Sequence, residues 1–576
     1  MERHVTDILI LGAGGAGLMA ALHAKQANPD VDVTVAVKGL LGKCGCTRMV
    51  QGGYNVALHP SDSIERHFMD TIAGGKWLPR QDLAWKLVTG AVETIRELEN
   101  EIGCFFDRNR DGSLHQKAFA GQSFDRTAHK GDLTGIEIIN RLMEQVLARD
   151  VRRLEEHRAI ELIPAKDGSG LSGVLLIDMR TGGYRLVRAK AVLLATGAGP
   201  TMYRYHTPSG DKSCDGLAMA LRSGLALRDM EMVQFHPTGL LGGPDTRMTG
   251  TVLEEGLRGA GGHLRNGAEE RFMLGYDPAG ERATRDVVSR GIYAEMRAGR
   301  TTPMGGVYID MRHVENTAGR FPGMVKRCAD CGFDLDGGLV EVVPTAHYMM
   351  GGIVFEPDCT TALPGLFVAG EDAGGVHGAN RLGGNGVANS TVFGGVAGAE
   401  MAHAVAHRSL ADPDETAIEA GIARAERPFA LRPGDLHGLR DRLSDLMWEE
   451  VGILRTEPGL ERALNGLADL RAELSETGLA DTDRAFNLTW HDWQNLESLI
   501  DISEVITRAA LARENSRGAH FREDFPEAGE LTTSAFTSIR SSGSDLTTEQ
   551  IPVTFDIVKP GESLIDGAIG APTAAE

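Results

Sequence analysis

The chain has 576 residues, room for roughly four domains at about 150 residues each. Its 59 basic and 80 acidic residues leave a net charge of −21, which argues against a nucleic-acid surface. Seven unevenly spaced cysteines exclude a secreted disulfide scaffold, and no uncharged apolar run reaches the ~18 residues needed to span a membrane, so a soluble protein of a reducing, cytoplasmic compartment is expected. Glycine fills 73 positions, about 13% against a usual ~7%, and backbone that turns tightly or approaches a ligand closely has to explain that excess.

Taken in chain order, the pattern predicts a strand over Asp7–Leu11, a glycine loop Gly12-Ala13-Gly14-Gly15-Ala16-Gly17, a helix from about Leu18 to Lys25, and a strand over Val31–Val37. A G-x-G-x-x-G run between a strand and a helix lets backbone meet a pyrophosphate at the helix N-terminus. The acidic residue that often ends the second strand is absent, since Val37 is followed by Lys38 and Gly39. That counts against a simple NAD dehydrogenase and leaves a flavin dinucleotide open.

Two more glycine-rich edges, Val192–Gly199 and Gly365–Glu371, suggest one nucleotide domain (1–228 and 344–405) interrupted by an insertion (229–343). From about Gly394 the composition turns helical, with Leu439, Leu443, Leu446 and Met447 on one face and Leu496, Leu499, Ser503 and Ile506 on another. A helical domain is expected over 406–513. The C-terminal segment 514–576 is expected to hold a strand near Ile551–Val558 and a frayed tail from Gly567 to Glu576. The fold class expected is thus α/β, a Rossmann-like domain interrupted by an α+β cap and followed by the helical domain and the tail.

Six further stretches carry the chemistry: Gly42-Lys43-Cys44-Gly45-Cys46-Thr47-Arg48-Met49-Val50-Gln51-Gly52-Gly53; Phe119–Ser123; Gln234-Phe235-His236-Pro237-Thr238-Gly239; Glu255-Gly256-Leu257-Arg258-Gly259; Arg285-Asp286-Val287-Val288; and His347–Gly352 with His377–Asn385. In this order they resemble the flavoprotein subunits of succinate dehydrogenases and fumarate reductases, with L-aspartate oxidase a close relative. A weaker match at Ser516–His520 extends the resemblance to about residue 526.

The residue types suit that chemistry on their own terms. Reducing a C=C bond between two carboxylates needs fixed cations, a hydride donor on one face and an acid on the other. His236, His347 and Arg381 are suitable carboxylate anchors. The resemblance makes Arg285 the proton donor, fed through Glu255 and Arg258. An arginine free in water is no acid, so its proton must be replaced at once by its neighbours. The resemblance also assigns FAD as the hydride carrier, with Gly12, Ala13, Gly14, Gly17 and Lys38 near its ADP half. Cys46, Thr47, Gln51, Gly52, Gly53, Thr196, Gly197, Asp215, Glu371, Arg381, Gly386 and Val387 complete the implied cofactor site.

The sequence departs from the family pattern twice. Cys46 stands where a histidine carries the flavin covalently in several relatives; a dissociable FAD is the expectation, with a Cys46 thioether the alternative. Glu254 replaces a threonine that helps bind a substrate carboxylate, so either its side chain turns away or the substrate brings a donor group. Phe119 matches the succinate and fumarate enzymes, where aspartate oxidases have a glutamate. Cys328-Ala329-Asp330-Cys331 lacks a second C-x-x-C and reads as packed cysteine, and no metal or iron–sulfur motif is present.

The expected function is FAD-dependent interconversion of fumarate and succinate, or of a close dicarboxylate analogue, with the reductive direction favoured. The alternatives are an amino-dicarboxylate oxidase and a flavoprotein subunit of a larger iron–sulfur and quinone complex. An iron–sulfur subunit or another electron donor is an expected partner, and peripheral attachment to the inner membrane face would follow from such a partner.

Overall fold

A computed structural model describes residues 1–243, 246–543 and 545–565. The expected frayed tail from Gly567 to Glu576 lies outside the described residues.

The nucleotide domain is built on a seven-stranded sheet. Its order is Arg152–Glu155, Val33–Val37, Glu2–Leu11, Gly183–Leu194, Leu171–Asp178 and His157–Pro164, with Leu366–Val368 also on Gly183–Leu194. Gly183–Leu194 runs parallel to Glu2–Leu11 along one edge. Its other edge is shared: the first half pairs antiparallel with Leu171–Asp178, and Val192, Leu193 and Leu194 pair parallel with Leu366, Phe367 and Val368. The three glycine-rich edges therefore end side by side, although about 170 to 180 residues separate each from the next. Parallel strands covered on both faces must be apolar throughout, and Ile8, Leu9, Ile10 and Leu11 are buried.

Helix Gly15–Ala27 packs on helix Asn385–Val405 with almost no side chain between them. A Cβ on Gly394 would stand 2.4 Å from the Ala16 carbonyl oxygen, so small residues at that face fix how closely the helices meet.

The middle of the chain forms a four-stranded antiparallel sheet in the order Val233–Leu240, Leu339–Met349, Val307–Asp310, His263–Arg265. Its own apolar cluster includes Leu257, Leu264, Ile309, Met324 and Val342. Cys328 belongs to that cluster at the end of helix Pro322–Ala329, and burial pushes its thiol up to about 12. All seven cysteines are free.

The helical region holds Leu436–Glu450, Glu457–Glu476 and Leu488–Ala512. Each starts on a residue whose side chain accepts an orphan N–H: Asp435 from Gly438, Thr456 from Gly459 and Asn487 from Trp490. Leu439, Leu443, Met447, Leu496, Leu499, Ser503 and Ile506 are buried, and Leu446 is half-buried against the core.

The last strand falls earlier than its sequence suggests. Asp545–Pro552 pairs with Ala535–Ser542, which in turn pairs with Leu227–Arg228. Beyond Pro552 no strand continues, because the amides of Ile557 and Val558 donate to the Gln81 side chain. The N-terminal limits also shift: the first strand begins at Glu2, the first helix spans Gly15–Ala27 and the second strand begins at Val33. No helix of the described residues is long and apolar enough to cross a membrane.

Candidate active site

A cavity of ≈ 640 Å³ runs from the first glycine loop to the middle segment. Of the candidate site residues read from the sequence, all except Gly17 and Arg258 line it.

At one end, Gly12 has φ +112°, and a Cβ there would lie 2.1 Å from the Ala195 carbonyl oxygen, so only glycine lets the loop pass over the neighbouring strand. Helix Gly15–Ala27 begins at Gly14 with no side-chain cap, and Thr47 Oγ1 accepts only the Gly15 amide. The helix N-terminus is left facing the cavity. Gly17 sits beneath the loop and not in the cavity wall; a Cβ there would come 2.0 Å from the Gly12 carbonyl oxygen. Its missing side chain lets the helix pack closely on the strand and loop.

Lys38 and Asp215 also lie at this end, as a largely buried ion pair of 2.8 Å. Arg158 donates to the other Asp215 oxygen at 2.7 Å and Ser213 to the same oxygen at 2.8 Å. Burial opposes ionisation of Asp215, but Arg158 and Lys38 outweigh it and hold the carboxyl well below its usual range. Asp372 accepts from the amides of Thr196 and Gly197, at 2.6 and 3.1 Å, and so holds that loop to the sheet edge.

At the other end, strands Val233–Leu240 and Leu339–Met349 pair with a bulge at Gln234 and Phe235. The pairing brings His236 and His347 together, ring centroids 5.5 Å apart. Burial, with Arg285 next, pushes both imidazoles well below the usual histidine value. They are therefore neutral at pH 7. The Thr238 amide donates to His236 Nδ1 at 3.3 Å, which leaves the proton on Nε2. Thr207 Oγ1 lies 2.8 Å from His347 Nδ1.

Arg285, the first residue of helix Arg285–Arg297, donates to Glu255 Oε2 from Nε at 3.0 Å and from Nη2 at 2.6 Å. Arg258 Nη2 stands 3.5 Å from the other Glu255 oxygen. Burial alone would raise Glu255, yet Arg285 and Arg258 keep its carboxyl low. Burial, reinforced by Arg285, lowers Arg381 to about 10. Arg381 lies 4.4 Å from the Tyr348 ring centroid.

Gln234 links the two arginines: its Oε1 accepts from Arg285 Nη1 and Arg381 Nη2, both at 3.1 Å. This glutamine opens one of the sequence motifs, yet no place in the site is expected for it there. Alternation along a strand, which puts Gln234 on the face of His236, was the signal available. Phe119 lines the same end and packs against Gly52, where a Cβ would come 2.5 Å from the ring.

Residues 7–387 match the FAD binding domain family, and residues 440–564 match the C-terminal family of fumarate reductase flavoproteins. The chain is 40% identical over 539 residues to one subunit of the fumarate reductase (CoM/CoB) of Methanothermobacter marburgensis, covering 91% of this chain and 95% of that one. It is 35% identical to the fumarate reductase flavoprotein subunit of Escherichia coli, covering 91% and 89%. A solved structure of E. coli quinol fumarate reductase superposes with a TM-score of 0.91 at 33% identity, over 98% of this chain and 99% of that one.

The chain belongs to the succinate dehydrogenase and fumarate reductase flavoprotein family. It is an FAD-dependent oxidoreductase, and the cavity fits the cofactor the family carries. The glycine cradle and open helix N-terminus suit a pyrophosphate. The cavity volume lies within the range of small-molecule and cofactor sites, about 300–1,000 Å³.

Cys46 stands at the start of the turn Cys46–Met49 and lines the cavity. Burial, with Glu371 next, pushes the Cys46 thiol up to about 12. Glu371 itself is raised to about 7 by burial, despite accepting the Met349 amide at 3.1 Å. Glu254 lines the cavity and has not turned to solvent: it is 3% exposed and ion-paired with Lys117. Nothing in the sequence points to Lys117 as its partner, since the two lie 137 residues apart. Lys212 is a further residue that no motif marks; it donates to the Thr196 carbonyl at 2.8 Å and lines the cavity.

Proposed function

We propose that this flavoprotein reduces fumarate to succinate. The observation that carries the reading is the charge balance around the two histidines. Arg285 and Arg258 share the one carboxylate of Glu255, and Arg381 donates to the neutral Gln234. The carboxylates of Glu371 and Glu281 act on Arg381 and Arg258 only through space, so the directly paired cluster is cationic, while the Lys117–Glu254 pair is neutral. A dicarboxylate dianion supplies the missing charge, and an amino-dicarboxylate would bring a third, cationic group into a cluster that is already cationic.

His236, with its Nε2 proton, donates to one carboxylate without adding charge. Arg381 Nε is buried with no partner among the described residues and offers a second donor. When bound, FAD supplies the hydride to one face of the double bond. Arg285 delivers the proton to the other carbon, and Glu255 and Arg258 restore it. Held by two such hydrogen bonds to Glu255, Arg285 keeps its guanidinium plane fixed toward the cavity. The middle segment caps the cavity and excludes water during the transfer.

We further propose that FAD is held without a covalent bond, since a thiol at about 12 stays protonated and is a weak nucleophile. Relatives named as flavoprotein subunits support an iron–sulfur or other electron-carrying partner for this chain, with any membrane attachment made through that partner.

The test is dye-linked turnover. Purified holoprotein should reoxidise a reduced viologen dye when fumarate is added, with two one-electron dye molecules oxidised for each succinate formed. No response to fumarate or to any close unsaturated dicarboxylate would sink the reading, and peroxide release with L-aspartate would select the oxidase.

A further inference from the structure

We propose that Lys117 is a positioning residue for the substrate, acting through Glu254: its ammonium neutralises a carboxylate in the cavity wall, so that the wall still admits a dianion. The inference rests on the dicarboxylate reading above and names a determinant of specificity that reading does not need.

The geometry is specific. Lys117 ends the short strand Gln116–Lys117, which pairs with Thr127–Ala128. Its side chain reaches over Phe119, with Nζ 5.7 Å from the ring centroid, and ends on Glu254 Oε1. Phe119 is itself part of the cavity wall, so the lysine is held by the residue that shapes the substrate end. Glu254 comes from the middle segment, immediately before Glu255. The pair therefore joins the two walls of the cleft as well as cancelling a charge.

A carboxylate this deep is costly when alone. The groups acting on Glu254 are few: Lys117 is its cation, while Asp132 and Glu255 are the neighbouring anions. Burial already favours the protonated form of Glu254, and Lys117 opposes that. Without the lysine, three acids would share one region of the cleft, and an ionised Glu254 would repel the far carboxylate of the substrate.

The test compares wild-type holoenzyme with Lys117→Met, Glu254→Gln and the double variant, reading KM and kcat for fumarate from about pH 6 to about pH 8. Lys117→Met should raise KM about tenfold or more near pH 8, with a much smaller change in kcat, because leaving one member of a buried pair unpaired is expensive. The penalty should shrink as pH falls and Glu254 takes up a proton. The double variant should recover most of the loss, since neither charge remains.

A Lys117→Met enzyme with wild-type KM at about pH 8, a pH-independent penalty, or a double variant as poor as the single one would each overturn the proposal. A lysine that merely props the fold would give the last two results. If wild type turns over no fumarate, the functional reading fails separately. The flavin absorbance change on titrating malonate into the same four proteins then reads the proposal directly, with the same expected order of affinities.

Discussion

The two ends of the cavity are both lined with buried charge, and they differ in how completely that charge is satisfied. At the glycine-loop end, Asp215 takes Lys38, Arg158 and Ser213, leaving neither of its oxygens free. At the far end, Arg285 and Arg381 share one glutamine oxygen, and among the described residues Arg381 Nε and Arg258 Nε and Nη2 have no hydrogen-bond partner. Buried polar groups are ordinarily hydrogen-bonded, and buried charges paired. A site whose charges are already matched is built to hold a shape, and a site with cations to spare is built to receive an anion.

The largest effect that sharpens this contrast is Arg285→Ala. It should cut fumarate turnover by about 10³-fold or more while flavin content stays near one per chain, because the loss falls on proton transfer. A variant that loses activity and flavin together would show that Arg285 is structural.

Asp215→Ala should do the reverse. It leaves Lys38 and Arg158 buried without their carboxylate, a change that costs about 3–5 kcal/mol in comparable pairs. Thermal melting and flavin retention should both fall, with turnover per bound flavin little altered. Gly17→Ala belongs with it: the Cβ would collide with the Gly12 carbonyl oxygen, so the loop must move and flavin should be lost on gel filtration.

A smaller effect concerns pH. Burial raises Glu371 to about 7 from the usual carboxyl value, so the folded apoprotein binds that proton more tightly than the unfolded chain does. Its contribution to stability is present at low pH and is lost as pH rises toward 7. Glu371→Gln should therefore stabilise the apoprotein above about pH 7, on the order of 3 kcal/mol, and should not near pH 4.5. Melting scans at the two pH values check the sign. The smallest change is expected at Cys46: acid precipitation should leave yellow colour in the supernatant for wild type and Cys46→Ser alike, whereas colour in the wild-type pellet would establish the thioether.

Much of the nucleotide sheet was legible because its signals are local. A strand, a glycine loop and a helix lie within about thirty residues, and the two later edges repeat the strand-to-glycine step. The carboxylate anchors were legible only as residue types; their convergence needs the bulged pairing of two strands about a hundred residues apart. Lys117 was not legible, because an ion pair between residues 117 and 254 leaves no trace in either neighbourhood. The strand expected at Ile551–Val558 falls at Asp545–Pro552 instead. Its later half does not pair because the Gln81 side chain takes the Ile557 and Val558 amides, a contact with a residue 476 and 477 positions earlier that leaves no local signal.

The central claim is that the cationic end holds a dicarboxylate in front of the flavin. Anaerobic mixing of the reduced holoprotein with fumarate, followed by flavin absorbance, tests it most directly. Reoxidation of one flavin per succinate formed, in wild type but not in Arg285→Ala, is the predicted result. A reduced flavin that stays reduced with fumarate, yet reoxidises with oxygen at an ordinary rate, would contradict it.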